Sequence, residues 1–309
     1  MRKFLLGASL AVSICLLMAS FAGAQLPIVN GLEVYMQGGF LVPPDYNWWY
    51  GCSPTSAGMM MGYYDINGYG GYSYNNLVPY GVAELSNYGN PGALANQIIA
   101  SDEHIADFYS GGNGASGDDV APPHHSFNSL ADFMGTSQDA LGSPNGSTWF
   151  INYTDGSRFY AYDALDLGLA DISGMYGLWE YEQYAGYGLG TVYDQMIYNQ
   201  YIDAMGYTYG FTFDDYMAEI DAGRPVLIHV TGHSMFGYGY DAQTNEVLLH
   251  NTWWEGEERM VWGGSYYGRQ HRFVTVFEPT VPEPGTFLLL GSGLLALVFF
   301  RKKLKKVRG

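Results

Sequence analysis

The sequence predicts an α+β fold in which a helix with a cysteine at its N-terminus packs on an antiparallel sheet. Three stretches carry that prediction. After Cys52, Ser53 and Pro54 have the chemistry of an N-cap and a first helical residue, and Ala57, Met59, Met60, Met61 and Tyr63 follow with no charge until Asp65. Further on, Thr212 with Asp214 and Asp215 opens a helix over 216–222, which Gly223 closes. Residues 225–230, 234–240 and 247–251 are then apolar runs of strand length. They are separated by the Thr231-Gly232 turn and the polar loop 241–246, so they pair as consecutive antiparallel strands.

The remaining elements follow in order. Residues 26–44 form a lead-in with a short strand at 32–36, and the cysteine helix ends at Asn67-Gly68. Residues 69–80, rich in Gly, Tyr and Asn, read as loop. The pattern of Ile98, Ile99, Ile105 and Phe108 predicts a helix over 94–109. In the polar loop 111–123, Gly112, Gly114 and Gly117 imitate a dinucleotide-binding spacing. No strand precedes them and no apolar helix follows, so the match is chance. A short helix is predicted at 126–134, and 163–170 fits neither pattern. Part of 176–201 reads as helix, because Tyr193, Met196, Ile197 and Tyr201 have helical spacing. A last strand covers 272–277. Residues 69–209 thus stay unassigned, an insertion within one domain spanning 25–279.

Both ends read as targeting. Arg2 and Lys3, an apolar core, and Ala22-Gly23-Ala24 before Gln25 make residues 1–24 a secretory signal peptide. Its removal takes away Cys15 and leaves Cys52 as the one thiol. A lone thiol in an exported chain forms no internal bridge, which points to chemistry rather than to a staple. At the other end Pro282, Glu283 and Pro284 precede an apolar run over 286–300 and a basic tail over 301–306. That run is shorter than the ~20 residues of a permanent membrane span, and the basic tail stays cytoplasmic. Between the ends only five positive side chains remain, all arginine, in a chain with 30 Asp and Glu. A body of about −25 makes nucleic acid and anionic membrane surfaces poor partners. Cations, basic peptides or calcium suit it better.

Cys52 at a helix N-terminus, His233 at the start of a strand and Asn251 at the end of its hairpin partner make a nucleophile, a base and an orienting amide. The helix dipole and free N–H groups favour the thiolate. The imidazole takes and returns the proton, and the amide fixes the ring. Other candidates carry less. His229 lies inside an apolar strand and reads as a core histidine, while His250 alternates to the face opposite Asn251. His124 and His125 lack a zinc spacing. Asp65 to Gly68 gives only the opening of a calcium loop. Gly232 to Gly237 misses the nucleophile-elbow spacing by one residue. Trp253 and Trp254 read as a lid or as core. The residues call for no metal and no cofactor.

Gly51-Cys52-Ser53-Pro54-Thr55, Gly223-Arg224-Pro225-Val226, Gly232-His233-Ser234, Tyr238-Gly239-Tyr240-Asp241 and His250-Asn251-Thr252-Trp253 resemble a papain-like cysteine peptidase of the bacteriocin-processing type. The resemblance covers 46–64 and 212–277. It implies a papain-like fold, a Cys-His-Asn site and a peptide or protein substrate. It also implies a glutamine a few residues before the cysteine to bind the oxyanion. None stands between Gln37 and Cys52, which leaves Asn47 as the candidate amide. The C-terminus resembles the PEP-CTERM sorting signal of Gram-negative bacteria. That implies exosortase as a partner, a transient inner-membrane anchor, and release to the cell surface or an extracellular polysaccharide matrix. Two alternatives stay open. One is an inactive surface protein of the same fold that binds matrix polysaccharide or calcium, and the other is an amidase or transpeptidase using the same three residues.

Overall fold

Helix α1 (Cys52–Asn67) is buried from Ser53 to Asp65, which is why its sequence is apolar on every side. It starts two residues earlier than predicted: Gly51 is the N-cap, Cys52 the first helical residue and Pro54 the third. A missing N–H costs nothing in that first turn. Asn67 closes the helix as expected. The computed structural model describes residues 43–109, 125–188 and 190–281. The signal peptide, the strand at 32–36, the glycine-rich loop at 111–123, His124, and the motif Pro282, Glu283 and Pro284 with its apolar run and basic tail lie outside them.

Five short helices follow: α2 (Leu94–Ile99), α3 (Asp102–Phe108), α4 (Leu130–Phe133), α5 (Ala161–Asp166) and α6 (Gly174–Tyr184); α7 (Phe213–Asp221) comes later. The single helix predicted over 94–109 is broken at Ser101, whose side chain accepts from the His104 N–H and caps α3. α7 has the predicted capping box, with Thr212 and Asp215 each bonded to the other's backbone N–H.

The strands are β1 (Phe159–Tyr160), β2 (Ile197–Tyr201), β3 (Val226–Val230), β4 (His233–Asp241), β5 (Glu246–His250), β6 (Glu258–Val261), β7 (Ser265–Tyr266) and β8 (Arg269–Phe277). They form one antiparallel sheet in the order β1-β2-β8-β3-β4-β5-β6, with β7 paired to β8. The helix expected through Ile197 and Tyr201 is instead β2, paired residue for residue with 273–277 of β8. Its helical spacing is a coincidence of aromatic residues, and sheet pairing overrides it.

Side chains alternate between two cores. Leu227 and Phe236 face α1 with Met59, Met60 and Tyr63, while Val226, Ile228, Met235 and Leu249 face α7. The segment 69–209 supplies β1, β2 and most of the cover over α1.

A buried polar chain crosses the α1 face. Ser53 Oγ lies 2.9 Å from Ser234 Oγ, which lies 2.9 Å from His229 Nδ1. His229 Nε2 meets Thr275 Oγ1, also at 2.9 Å, and Thr275 donates to Asn199 Oδ1 at 2.6 Å. This chain sets the first turn of α1 on β4, β3, β8 and β2. Near the other end of the sheet, fully buried Glu182 of α6 accepts from the Thr280 N–H (2.6 Å) and hydroxyl (3.2 Å), and Tyr74 donates to the Thr280 carbonyl (2.8 Å). Burial pushes the Glu182 carboxyl up to about 7, against those two hydrogen bonds.

Candidate active site

The chain reaches Cys52 through a tightly fixed approach. Trp48 N–H donates to the Thr252 carbonyl (2.6 Å), Trp49 N–H to Thr55 Oγ1 (3.0 Å), and Thr55 Oγ1 to the Gly51 carbonyl (2.6 Å). Tyr50 takes a left-handed backbone (φ 56°), and its carbonyl accepts from the Tyr109 hydroxyl. A Cβ on Gly51 would sit 2.8 Å from Pro54 Cγ and 3.0 Å from Thr136 Cγ2, so only glycine fits there. The thiol is free and partly exposed.

His233 begins β4, and β4 pairs with β5, so the start of β4 lies beside the residue that follows β5. His233 Nε2 lies 2.8 Å from the carbonyl oxygen of Asn251. A carbonyl only accepts, so Nε2 carries the proton and Nδ1 keeps its lone pair. The ring stacks on Trp253 (centroids 3.9 Å apart, 18° between planes) and is 5 % exposed. Burial lowers its pKa to about 4; the Asn251 carbonyl opposes the shift and nearby Arg269 adds to it. The imidazole is therefore neutral near pH 7 and fit to accept a proton.

Asn251 holds the ring in a way the sequence did not predict. Its side chain turns away from His233: Nδ2 donates to Tyr266 OH (2.6 Å), and Oδ1 accepts from the N–H groups of Trp253 (2.7 Å) and Trp254 (3.1 Å). The backbone carbonyl makes the contact, while the amide shapes the turn that lays Trp253 over the ring. Thr252 in that turn is left-handed (φ 67°).

Cys52, His233 and Trp253 line one cleft of about 540 Å³, with Trp48, Asn145 and Arg269 among the other residues around it. No hydrogen bond joins the thiol to the ring among the described residues. Asn47 is not part of this wall. Its Oδ1 accepts from Trp48 N–H, and its backbone is clamped in both directions by Asn87, so its amide does not reach the cleft. The asparagine that does line the cleft is Asn145, also left-handed (φ 45°), from the unassigned middle of the chain. Its loop is fixed beside Cys52: Gly146 N–H donates to Ser137 Oγ (2.7 Å), Ser137 to Tyr109 OH, and Tyr109 to the Tyr50 carbonyl.

His229, His250, His125 and His104 are structural. His229 has both ring nitrogens bonded and stacks on Phe273 (4.2 Å), although its edge reaches the cleft floor. His250 faces away from Asn251 and meets the Pro44 carbonyl (2.8 Å). His125 lies between Asp107 (2.9 Å) and Asp132 (3.3 Å), and His104 also meets Asp132 (2.6 Å). Asp65 accepts from the N–H groups of Val78 and Ala83, a loop clamp. Asn145, Arg269 and Tyr266 went unread in the sequence, since no spacing ties them to Cys52.

A model of the peptidase C39 like family matches residues 35–271, a span that takes in Cys52, His233 and Asn251. The chain belongs to that family. The α+β architecture, with α1 on an antiparallel sheet, is the papain-like fold of the peptidase C39 like family. The match also runs through residues 69–209, which the sequence motifs left uncovered. The PEP-CTERM protein-sorting motif matches residues 280–303 and marks this family member for export through the exosortase system of Gram-negative bacteria. No helix among the described residues is long and apolar enough to cross a membrane. No curated protein and no solved structure matches the chain.

Proposed function

We propose that the protein is an exported cysteine peptidase that cleaves peptide or isopeptide bonds through Cys52, His233 and Asn251. The observation that carries this reading is the His233 ring. It shares a cleft with Cys52, and the Asn251 carbonyl fixes its tautomer so that Nδ1 is the base. Cys52 Sγ attacks the substrate carbonyl while His233 Nδ1 takes the thiol proton. The Cys52 N–H, one of the unpaired donors of the first helical turn, and the Asn145 amide stabilise the oxyanion. Collapse breaks the C–N bond, His233 returns the proton to the leaving amine, and water then hydrolyses the thioester. The thiol–imidazole contact forms when substrate closes the cleft, as catalytic hydrogen bonds in free enzymes often tighten on binding. The same chemistry serves an amidase, or a transpeptidase if an amine replaces water. Exosortase cutting at Pro282-Glu283-Pro284 delivers the enzyme to the cell surface or the surrounding matrix.

The test is labelling of the exported chain with a stoichiometric alkylating probe, followed by a screen of fluorogenic peptides. Labelling at Cys52 that falls at least tenfold in His233→Ala, with turnover abolished in Cys52→Ala, supports the reading. Labelling unaffected by His233→Ala overturns it. A second reading, a surface protein that keeps the fold without turnover and binds matrix polysaccharide or calcium, is favoured by one observation: no glutamine precedes the cysteine. Unchanged labelling would favour it.

A further inference from the structure

The chain is acidic and its cleft is not. Against 30 Asp and Glu in the sequence, no carboxylate among the described residues lines the cleft, and among them Arg269 is the only lysine or arginine that does. Arg224 and Arg259 are each paired with carboxylates, Arg224 with Glu219 at 2.5 Å and Arg259 with Glu257 at 2.7 Å. Arg269 has no carboxylate within salt-bridge distance among the described residues. Its Nη1 donates to the carbonyls of Thr231 (3.0 Å) and Gly232 (3.5 Å), the turn that leads into His233. Its guanidinium lies 5.8 Å from the Trp253 ring centroid. The head group is thus held in place, while the rest of its planar fork has no acceptor among the described residues. A fixed fork loses little entropy when it takes a carboxylate. Arg269 is exposed to solvent, so water weakens its pull on an anion, and what favours binding is the held fork with no competing carboxylate among the described residues.

We propose that the cleft selects peptides that carry a carboxylate beside the scissile bond, with Arg269 as the recognition group and Trp48, Trp149 and Trp253 as apolar walls. The proposal rests on the peptidase reading for its substrate class. Its binding part stands apart from turnover. The carboxylate comes from an Asp or Glu side chain or from the C-terminus of the peptide, and the experiment separates the two.

The test uses the Cys52→Ala protein, which binds without cutting, and fluorescein-labelled peptide pools that differ only in carrying Glu, Gln or Lys, each with a free or an amidated C-terminus. Polarisation should show the Glu pool bound roughly 2- to 5-fold more tightly than the Gln pool, the range of a solvent-exposed ion pair. Adding Arg269→Gln should erase that preference, and Arg269→Glu should turn it toward the Lys pool. A merely structural arginine would produce no such reversal. Discrimination by the free C-terminus alone assigns the terminal carboxylate instead of the side chain. Equal binding of all pools, no binding, or displacement by polygalacturonate but not by Glu peptides overturns the proposal. A Glu preference without any thiol-dependent turnover in the wild type leaves the Arg269 assignment standing and sinks the peptidase reading.

Discussion

The imidazole of His233 donates to the backbone carbonyl of Asn251, 2.8 Å away, and not to its side chain. The side-chain amide acts at one remove, by holding the turn that places Trp253 on the ring. Asn251→Ala should therefore cost less than His233→Ala. It leaves the carbonyl in place and removes bonds to Tyr266, Trp253 and Trp254. A fall in kcat/KM of roughly tenfold is expected, set against loss to background for His233→Ala. A folded Asn251→Ala protein as inactive as His233→Ala would place the amide itself at the ring.

The pH dependence follows from the same ring. With its pKa lowered to about 4, chiefly by burial, His233 should keep its base form down to pH 5, and kcat/KM should fall only as pH drops through about 4. Trp253→Ala opens the ring to water and should move that acid limb upward, toward the ordinary histidine value of about 6.5. A limb that stays where it was in Trp253→Ala would mean that the stack does not govern the ring.

Asn145 and Asn47 separate cleanly by substitution. Asn145→Ala should lower kcat by about 10²-fold with little change in KM, the pattern of an interaction made only in the transition state. Asn47→Ala, away from the cleft, should leave kcat intact. Steady-state kinetics on one peptide decides between them, and equal losses in both variants would remove Asn145 from the oxyanion site.

Glu182 should make stability fall with rising pH. Its folded pKa is raised to about 7 from 4.5, so the folded protein binds the proton more tightly than the unfolded chain does. The protein is therefore most stable, in this respect, below about 4.5, and stability drops until pH passes about 7. Melting temperatures of wild type and Glu182→Gln, taken from pH 4.5 to 8, check this. The wild type should lose several degrees relative to the variant across that window, and parallel curves would contradict it.

What the sequence made legible were elements whose local signals agree with their packing. α1, α7 and β3 to β5 each carry a cap, a turn residue or a continuous apolar run. The middle resisted because its helices are only four to eleven residues long. Most of them are too short for a helical period to establish itself. Its strand β2 contains Asn199 and Gln200, polar residues buried by bonds to Thr275, Ile151, Gly156 and Tyr209 that no one-dimensional pattern reveals. The site divides the same way. Cys52 and His233 are marked by their neighbours, Gly51 and Pro54, Gly232 and Ser234. The group that holds the ring is a carbonyl, and every residue has one. Asn145 and Arg269 reach the cleft from distant segments, so only the fold brings them there.

The grip of Glu182 and Tyr74 on Thr280 has a consequence for the chain's journey. Those bonds end two residues before Pro282. Severing the chain at the sorting motif removes none of them. On the proposed cut the tail would act as a detachable label, because the last strand is already fastened inside the body through Thr280.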